Sequence, residues 1–274
     1  MVKKMKKILG LITALMIMTQ AQASIGLSPT KIEINANKIK ANYVTTAVEV
    51  KGDAHKPMRF RVYPGFFTIN EKGEMVLMDT SNDPHNIAKK IRYVPSEFNV
   101  MPGKTQKLRI NIANINTLPD GENRCVLYIE DVNPKEKMMD TGSSGIGAQL
   151  ILKTRFGVPI YVDKGKFTKN GDIEYLNIIK GNGGLYTEMK IVSTGNSKIR
   201  CQGKVQIFED KKLIHEYGLG EKVVGESNYL ITKDKIETGD IKEKGEYTLR
   251  VVLSYVDEKG KKQNITKEAQ VNII

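Results

Sequence analysis

Residues 102–112 read PGKTQKLRINI, a turn signal followed by alternating apolar and polar side chains. From Leu108 to Ile112 every second position is apolar, and the positions between are charged or carry an amide. A period of two residues predicts a half-buried antiparallel strand. The same pattern recurs at residues 44–50, 58–62, 205–207 and 247–255.

Turn residues separate these segments at short intervals, and no stretch after residue 23 sustains an apolar period of 3.6 residues over three turns. The pattern therefore predicts an all-β fold. A chain of 274 residues exceeds the commonest size of one domain, so we expect two. A polar, glycine-containing break predicts domains at residues 24–163 and 166–274.

The N-terminus has the pattern of an export signal. Four lysines in the first seven residues precede the apolar residues 8–18, and Ala21-Gln22-Ala23 fits a cleavage site. This apolar run is too short to span a bilayer, and no later segment is long and apolar enough. We therefore expect residues 1–23 to be a cleaved signal peptide and the mature protein to be exported, without stable membrane insertion.

Composition argues against several classes of function. The formal charge of +12 falls to +8 without the four leader lysines, and lysine alternates with glutamate along the chain, so no nucleic-acid partner is expected. His55, His85 and His215 are isolated in sequence, without metal-ligand spacing. No nucleotide loop or nucleophile motif occurs, so we expect no enzyme activity, cofactor or metal. Cys125 and Cys201 lie about 75 positions apart in different predicted domains, which favours two buried free thiols over a disulfide.

Six segments carry motifs that occur together in one family. They are residues 27–34 (LSPTKIEI), 95–110 (PSEFNVMPGKTQKLRI), 118–129 (LPDGENRCVLYI), 149–162 (QLILKTRFGVPIYV), 193–200 (STGNSKIR) and 244–249 (KGEYTL). Together they resemble the PapD-like periplasmic chaperones of chaperone/usher pathways, with departures typical of archaic or alternative members. The resemblance implies two immunoglobulin-like β-sandwich domains in an L-shaped arrangement, which agrees with the strand pattern.

The resemblance also implies a function. Such chaperones bind pilus or fimbrial subunits in the periplasm, complete the subunit's sandwich with a donor strand, and deliver it to an outer-membrane usher. The donor residues implied here are Ile146, Ala148, Leu150 and Leu152. The alternative is an ordinary edge strand with Leu150 and Leu152 in the protein's own core. Apolar residues occupy both odd and even positions of this segment, with Ile151 between the leucines. A strand that packs on two faces needs this pattern, which favours the donor interpretation.

In this family, two basic residues anchor the subunit's terminal carboxylate by charge-assisted hydrogen bonds. Lys31 occupies the first position, but Gly157 stands where the second is expected. Arg155 lies two residues earlier on the same strand face and is the first substitute, with Arg124 as a weaker one. Surface charge without a role is the alternative for Lys31 and Arg155. Tyr161 replaces a family arginine, so that arginine's interdomain ion pairs are not expected.

Two other classes of function fit the sequence less well. A secreted fibre subunit or surface adhesin would need its own donor peptide or an incomplete sandwich. The segment from 24 to 26, between the leader and the first predicted strand, is too short to donate. A carbohydrate-active protein would normally need aromatic platforms, and the chain has no tryptophan.

Overall fold

The computed structural model describes residues 25–133, 135–139, 148–237, 239, 241 and 244–273, with the backbone alone for 135–139 and 148–149. The predicted leader, residues 1–23, lies outside the described residues. Within them the chain forms nineteen strands and three short 3-10 turns, at Ala36–Lys38, Ala88–Lys90 and Ile115–Thr117. The predicted all-β fold is confirmed.

Twelve strands of the described residues end by residue 164. They are β1 (Gly26–Ser28), β2 (Ile32–Asn35), β3 (Tyr43–Lys51), β4 (Met58–Ile69), β5 (Met75–Met78), β6 (Ile91–Val94), β7 (Glu97–Val100), β8 (Thr105–Ala113), β9 (Gly121–Asp131), β10 (Lys135–Met139), β11 (Ala148–Leu152) and β12 (Arg155–Lys164).

Ten of these strands form a sandwich of two sheets, here called the N-terminal sandwich, and β10 and β11 form a separate two-stranded ribbon. One sheet of the sandwich has the order β1-β3-β8-β6, and the other has the order β2-β12-β9-β4-β5 with β7 paired to β4. All these pairs are antiparallel except β2 with β12.

The remaining described strands are β13 (Gly171–Gly181), β14 (Gly184–Ser193), β15 (Ile199–Glu209), β16 (Lys212–Val224), β17 (Tyr229–Lys235), β18 (Gly245–Val256) and β19 (Lys262–Ile273). They form the C-terminal sandwich, with sheets ordered β13-β14-β17 and β16-β15-β18-β19. The described strands of the N-terminal sandwich all end by residue 164, and those of the C-terminal sandwich begin at residue 171. The domain limits expected there stay a prediction.

Alternating side chains build one core in each sandwich. In β8, Leu108, Ile110 and Ile112 are buried, as the period of two predicts. Cys125 lies in the N-terminal core and Cys201 in the C-terminal core, and both are buried and unpaired. The expectation of two free thiols is therefore confirmed.

Backbone hydrogen bonds join the two sandwiches at two places. The amide of Ile231 in β17 donates to the carbonyl of Glu71 in the β4–β5 turn, at 2.9 Å. The amide of Glu122 at the start of β9 donates to the carbonyl of Asn196, at 3.0 Å. Because the two places lie on different elements of each sandwich, they restrict rotation of one sandwich against the other.

Gly203 of β15 lies against the backbone of β18, and Gly218 of the neighbouring strand β16 lies in open space. The two glycines therefore test how closely β15 and β18 pack. An added Cβ at Gly203 would overlap the carbonyl oxygen of Val252, whereas one at Gly218 would meet nothing within 4 Å. We expect Gly203→Ala to lower the free energy of unfolding by about 1–3 kcal/mol, since the strands must move apart. Gly218→Ala should change it by less than about 1 kcal/mol. Urea unfolding followed by circular dichroism measures both, and equal midpoints would contradict the expected close approach.

Candidate functional site

The ribbon of β10 and β11 extends the β9–β12 pair beyond the N-terminal sandwich. Its register runs from Lys135 opposite Leu152 to Met139 opposite Ala148. At its base, the amide of Asp131 donates to the carbonyl of Thr154 at 2.9 Å, which joins the ribbon to the end of β9. Strand β11 is therefore a continuation of β12 that has left the sandwich.

Strand β11 carries three exposed apolar side chains. Leu150, Ile151 and Leu152 are 40%, 53% and 48% exposed, and neither leucine belongs to the N-terminal core. Within the described residues, β10 is the only strand that pairs with β11, so its other edge has free backbone groups. That edge continues into residues 155–159 of β12, because β2 pairs with β12 only from Ile160 onward.

The other two predicted donor residues are less fully placed. Ile146 lies outside the described residues. Ala148 is placed by its backbone opposite Met139, at the far end of the ribbon register. Among the predicted donors, the structure thus gives side-chain exposure for Leu150 and Leu152 alone.

Lys31 lines a cavity of about 390 Å³ between the two sandwiches. Gly157 and Tyr161 of β12 line the same cavity, together with Arg200 and Glu221 of the C-terminal sandwich. The ammonium of Lys31 lies 3.3 Å from both carboxylate oxygens of Glu221. Lys31 therefore faces a cavity whose second cation, Arg200, comes from the other sandwich.

Arg155 is not among the residues that line this cavity. Its Nη1 donates to the carboxylate of Asp79 at 3.1 Å and to the hydroxyl of Tyr63 at 3.2 Å. Its guanidinium carbon lies 4.1 Å from the centre of the Tyr128 ring, a cation–π contact. The structure thus does not bring Lys31 and Arg155 together around one cavity.

Arg124 is buried at the junction of the sandwiches. Its Nη1 lies 2.6 Å from Glu226 and 3.4 Å from Glu122, and its Nε donates to the carbonyl of Phe67 at 3.1 Å. Burial alone would lower the pKa of Arg124, but Glu226 above all raises it. The guanidinium is therefore held by internal partners.

A second set of buried charges joins the sandwiches. Lys198 Nζ lies 3.1 Å from Glu122 and 3.3 Å from Glu33, and the side chains of Lys198 and Glu122 are 3% and 1% exposed. Arg200 Nε donates to Glu33 at 2.7 Å, and its Nη1 donates to Glu221 at 2.9 Å. Burial alone would raise the pKa of Glu33, but Lys198 and Arg200 lower it to about 2.

Tyr161 contacts two cations through the face of its ring. The arginine that the resemblance implies at this position would instead form ion pairs. Its ring centre lies 3.5 Å from the ammonium of Lys198 and 5.4 Å from the guanidinium carbon of Arg200. Lys198 and Arg200 were not predicted as site residues. Their spacing by two positions, which puts both on one face of an extended segment, was the one sequence signal for their shared role.

Two other features, a metal site and a membrane span, are absent from the described residues. No group of three or more histidine, cysteine, aspartate or glutamate side chains there could hold a metal ion. No helix in that part of the chain is long and apolar enough to cross a membrane.

Comparison with known proteins gives matches among solved structures. No family profile and no curated protein matches the chain. A class 5 fimbriae chaperone, CfaA, is 14% identical, with 89% of this chain and 98% of that chain covered and a TM-score of 0.46. The CupB2 chaperone of Pseudomonas aeruginosa is 12% identical, with 90% and 100% covered and a TM-score of 0.42.

A third match comes from a complex. The structure of CsuC–CsuE is a chaperone–tip adhesion subunit pre-assembly complex from archaic chaperone-usher Csu pili of Acinetobacter baumannii. It is 12% identical, with 91% of this chain and 98% of that chain covered and a TM-score of 0.44. Each of these three matches covers 89–91% of this chain.

The lowered pKa of Glu33 gives a pH dependence of stability. Its charged form is favoured in the folded protein, so its contribution is complete above its ordinary pKa of 4.5 and is lost as the pH falls toward about 2. We expect the wild type to exceed Glu33→Gln in unfolding free energy near pH 6, and this difference to shrink only below about pH 4.5, toward about pH 2.5. Urea unfolding of both proteins across this range measures it. A difference independent of pH would show that Glu33 does not act through its charge.

Proposed function

We propose that this protein is a periplasmic chaperone of pilus or fimbrial subunits, exported by a cleaved leader at residues 1–23. It binds each subunit by lending it strand β11 and delivers it to an outer-membrane usher. The observation that carries the proposal is the exposed apolar strand β11, whose second edge lacks a partner strand in the described part of the chain. Such an edge promotes pairing with another chain, so a protein that keeps one needs an occupant for it.

A subunit that lacks one strand of its own sandwich has the complementary surface. Its open edge would pair with the backbone of β11 and of residues 155–159, which have free groups on the same side. Leu150 and Leu152 point to one face, roughly 6.6 Å apart, and fit the groove left by the missing strand. Ile151 faces the opposite side and would cover the outer surface.

The expected energy of strand pairing is of the same order as the cost of association. Each of the three apolar side chains is about half exposed, so complete burial contributes roughly 1 kcal/mol per side chain. Each new backbone hydrogen bond contributes about 0.5–1.5 kcal/mol net. Association itself costs about 4–15 kcal/mol in lost freedom of motion. A second contact would therefore strengthen binding considerably.

Lys31 supplies that second contact in our proposal. Its ammonium lines the interdomain cavity, where a terminal carboxylate of the subunit would accept a charge-assisted hydrogen bond. Arg155 is a proposed contact for the subunit on the donor edge itself, outside this cavity and separate from Lys31. Arg124 is the weakest of the three, since Glu226 and Glu122 already hold its buried guanidinium.

Strand donation predicts a specific loss of binding. We expect Leu150→Asp with Leu152→Asp to remain folded and exported, since both side chains are exposed. The variant should capture co-expressed fibre subunits from the neighbouring genes at least about tenfold less, because two charges would enter an apolar groove. Co-purification with quantitative mass spectrometry measures the captured subunit.

A matched control places the same two charges elsewhere. Tyr43 and Leu213 are also exposed, at 57% and 44%, and Tyr43→Asp with Leu213→Asp should leave capture unchanged. Normal capture by the Leu150 and Leu152 variant would refute strand donation from β11. Self-assembly of the purified wild type into fibres would instead favour the fibre-subunit function.

The anchor predicts a dependence on the subunit's terminal charge. Lys31→Ala should weaken binding of a subunit with a free C-terminal carboxylate by about three- to tenfold, since one charge-assisted bond is lost. It should have no effect on a subunit whose C-terminus is amidated. Calorimetry on Lys31→Ala and Arg155→Ala in parallel separates the two cations. Equal affinity of the wild type for the free and the amidated subunit would refute the proposed contact with the terminal carboxylate.

A further inference from the structure

Two arginines of the N-terminal sandwich have no counter-charge. The chain has eight arginines, and six of them form ion pairs with aspartate or glutamate in the described residues. The other two are Arg92 of β6 and Arg109 of β8, whose side chains make no ion pair and no hydrogen bond within that part of the chain. Both residues are exposed.

The two arginines are neighbours on one face of a sheet. Arg92 lies opposite Asn111 of β8, and Arg109 lies two residues before Asn111, so the register places the Cα atoms of the two arginines about 7–8 Å apart. The side chain of Asn111 donates instead to Thr45, at 3.0 Å. Two like charges within reach of each other repel. The pair therefore does not stabilise the fold, and an anionic partner would remove the repulsion.

The whole face around the two arginines is cationic. It is the outer face of the sheet β1-β3-β8-β6, where Lys51, Lys107, Arg92 and Arg109 are exposed together with a single acid, Glu49. Four positive charges and one negative charge leave this face with +3. Lys107 lies 4.0 Å from Glu49, the longest of the ion pairs described.

The C-terminal sandwich neutralises the exposed cations of a comparable face. In the sheet β16-β15-β18-β19, Arg250 lies opposite Glu268 and forms an ion pair with it. Lys204 of the same sheet lies 2.8 Å from Glu216. Acids are thus placed beside exposed cations on one sheet and are missing on the other. The positive excess on β6 and β8 is therefore a local feature, and not a consequence of the net charge alone.

Two apolar side chains stand on the same face as the arginines. Val94 lies directly opposite Arg109 and is 68% exposed, the highest value for a large apolar side chain in the described residues. Tyr43 lies at the end of β3 opposite Ala113 and is 57% exposed. At a lipid surface, cations bind the headgroup phosphates while apolar and tyrosine side chains enter the headgroup boundary. An acidic polypeptide would match the charges alone.

We propose that the outer face of the sheet β1-β3-β8-β6 docks on an anionic lipid surface through Arg92 and Arg109, with Val94 and Tyr43 at the headgroup boundary. The contact is peripheral, because the other face of this sheet packs in the core. The inference goes beyond the proposed function and takes from it the periplasmic location alone. The proposed donor edge runs along β11 and β12, outside this sheet, so a subunit and a lipid surface would use different parts of the sandwich.

Flotation with vesicles tests the proposal on the purified exported protein. Mass spectrometry first confirms that residues 1–23 are absent, because the leader's own lysines would bind anionic lipid. Vesicles of phosphatidylcholine with about 30% phosphatidylglycerol are compared with vesicles of phosphatidylcholine alone, at low salt. We expect Arg92→Gln with Arg109→Gln to lower partition onto the anionic vesicles about tenfold, since two cations near the surface are lost.

A matched control removes two arginines from the other sheet. Arg59 and Arg61 lie on β4 and both pair with Glu97. Arg59→Gln with Arg61→Gln changes the net charge by the same amount and should bind anionic vesicles within about twofold of the wild type. Urea unfolding of both double variants checks that they are folded.

Equal partition of the wild type onto the two kinds of vesicle would overturn the proposal. An equal loss in the two double variants would overturn the assignment to this face, because net charge alone would then account for the binding. Retention of the wild type on immobilised poly-glutamate without vesicle binding would replace lipid by an acidic polypeptide. The variant of Arg92 and Arg109 should still capture subunits, so each of the two proposals can fail while the other stands.

Discussion

The pairing of Lys198 with Glu122 is the contact on which the arrangement of the molecule depends. Both side chains are almost completely buried, and they come from different sandwiches. Removing one partner of a buried pair typically costs about 3–5 kcal/mol, because the other charge is left without compensation. The pair therefore fixes how the sandwiches meet. Glu33 and Arg200 extend it to the edge of the cavity, so the shape of that cavity follows from the same contact.

Prediction from sequence was most successful where the physical rule is local. The alternation from Leu108 to Ile112 identified a strand and its buried face, because successive side chains of a strand point to opposite sides. Leu150 and Leu152 were identified by resemblance, and the structure shows that they are exposed on a free edge. Alternation alone could not give that result, because a core strand and a donor strand have the same pattern.

The charges at the junction could not be predicted in the same way. Lys198 and Glu122 are 76 positions apart, and no periodicity links residues of separate sandwiches. The sequence pointed to Arg155 of β12 as a second cation, since neighbours on one strand are visible in sequence. The cavity instead takes Arg200 from β15, across the interface. Such a pairing appears only when the two sandwiches are placed together.

The free edge of β11 and β12 also sets a fixed distance between the cavity and the exposed apolar side chains. The cavity beside Lys31 includes Gly157, and Leu152 lies five residues earlier, roughly 17 Å away along an extended chain. A ligand held by its end in the cavity and paired along this edge meets Leu152 after a fixed number of residues. One additional residue at that end would turn each of its side chains to the opposite face. The molecule would therefore distinguish partners of equal composition by the length of their tails.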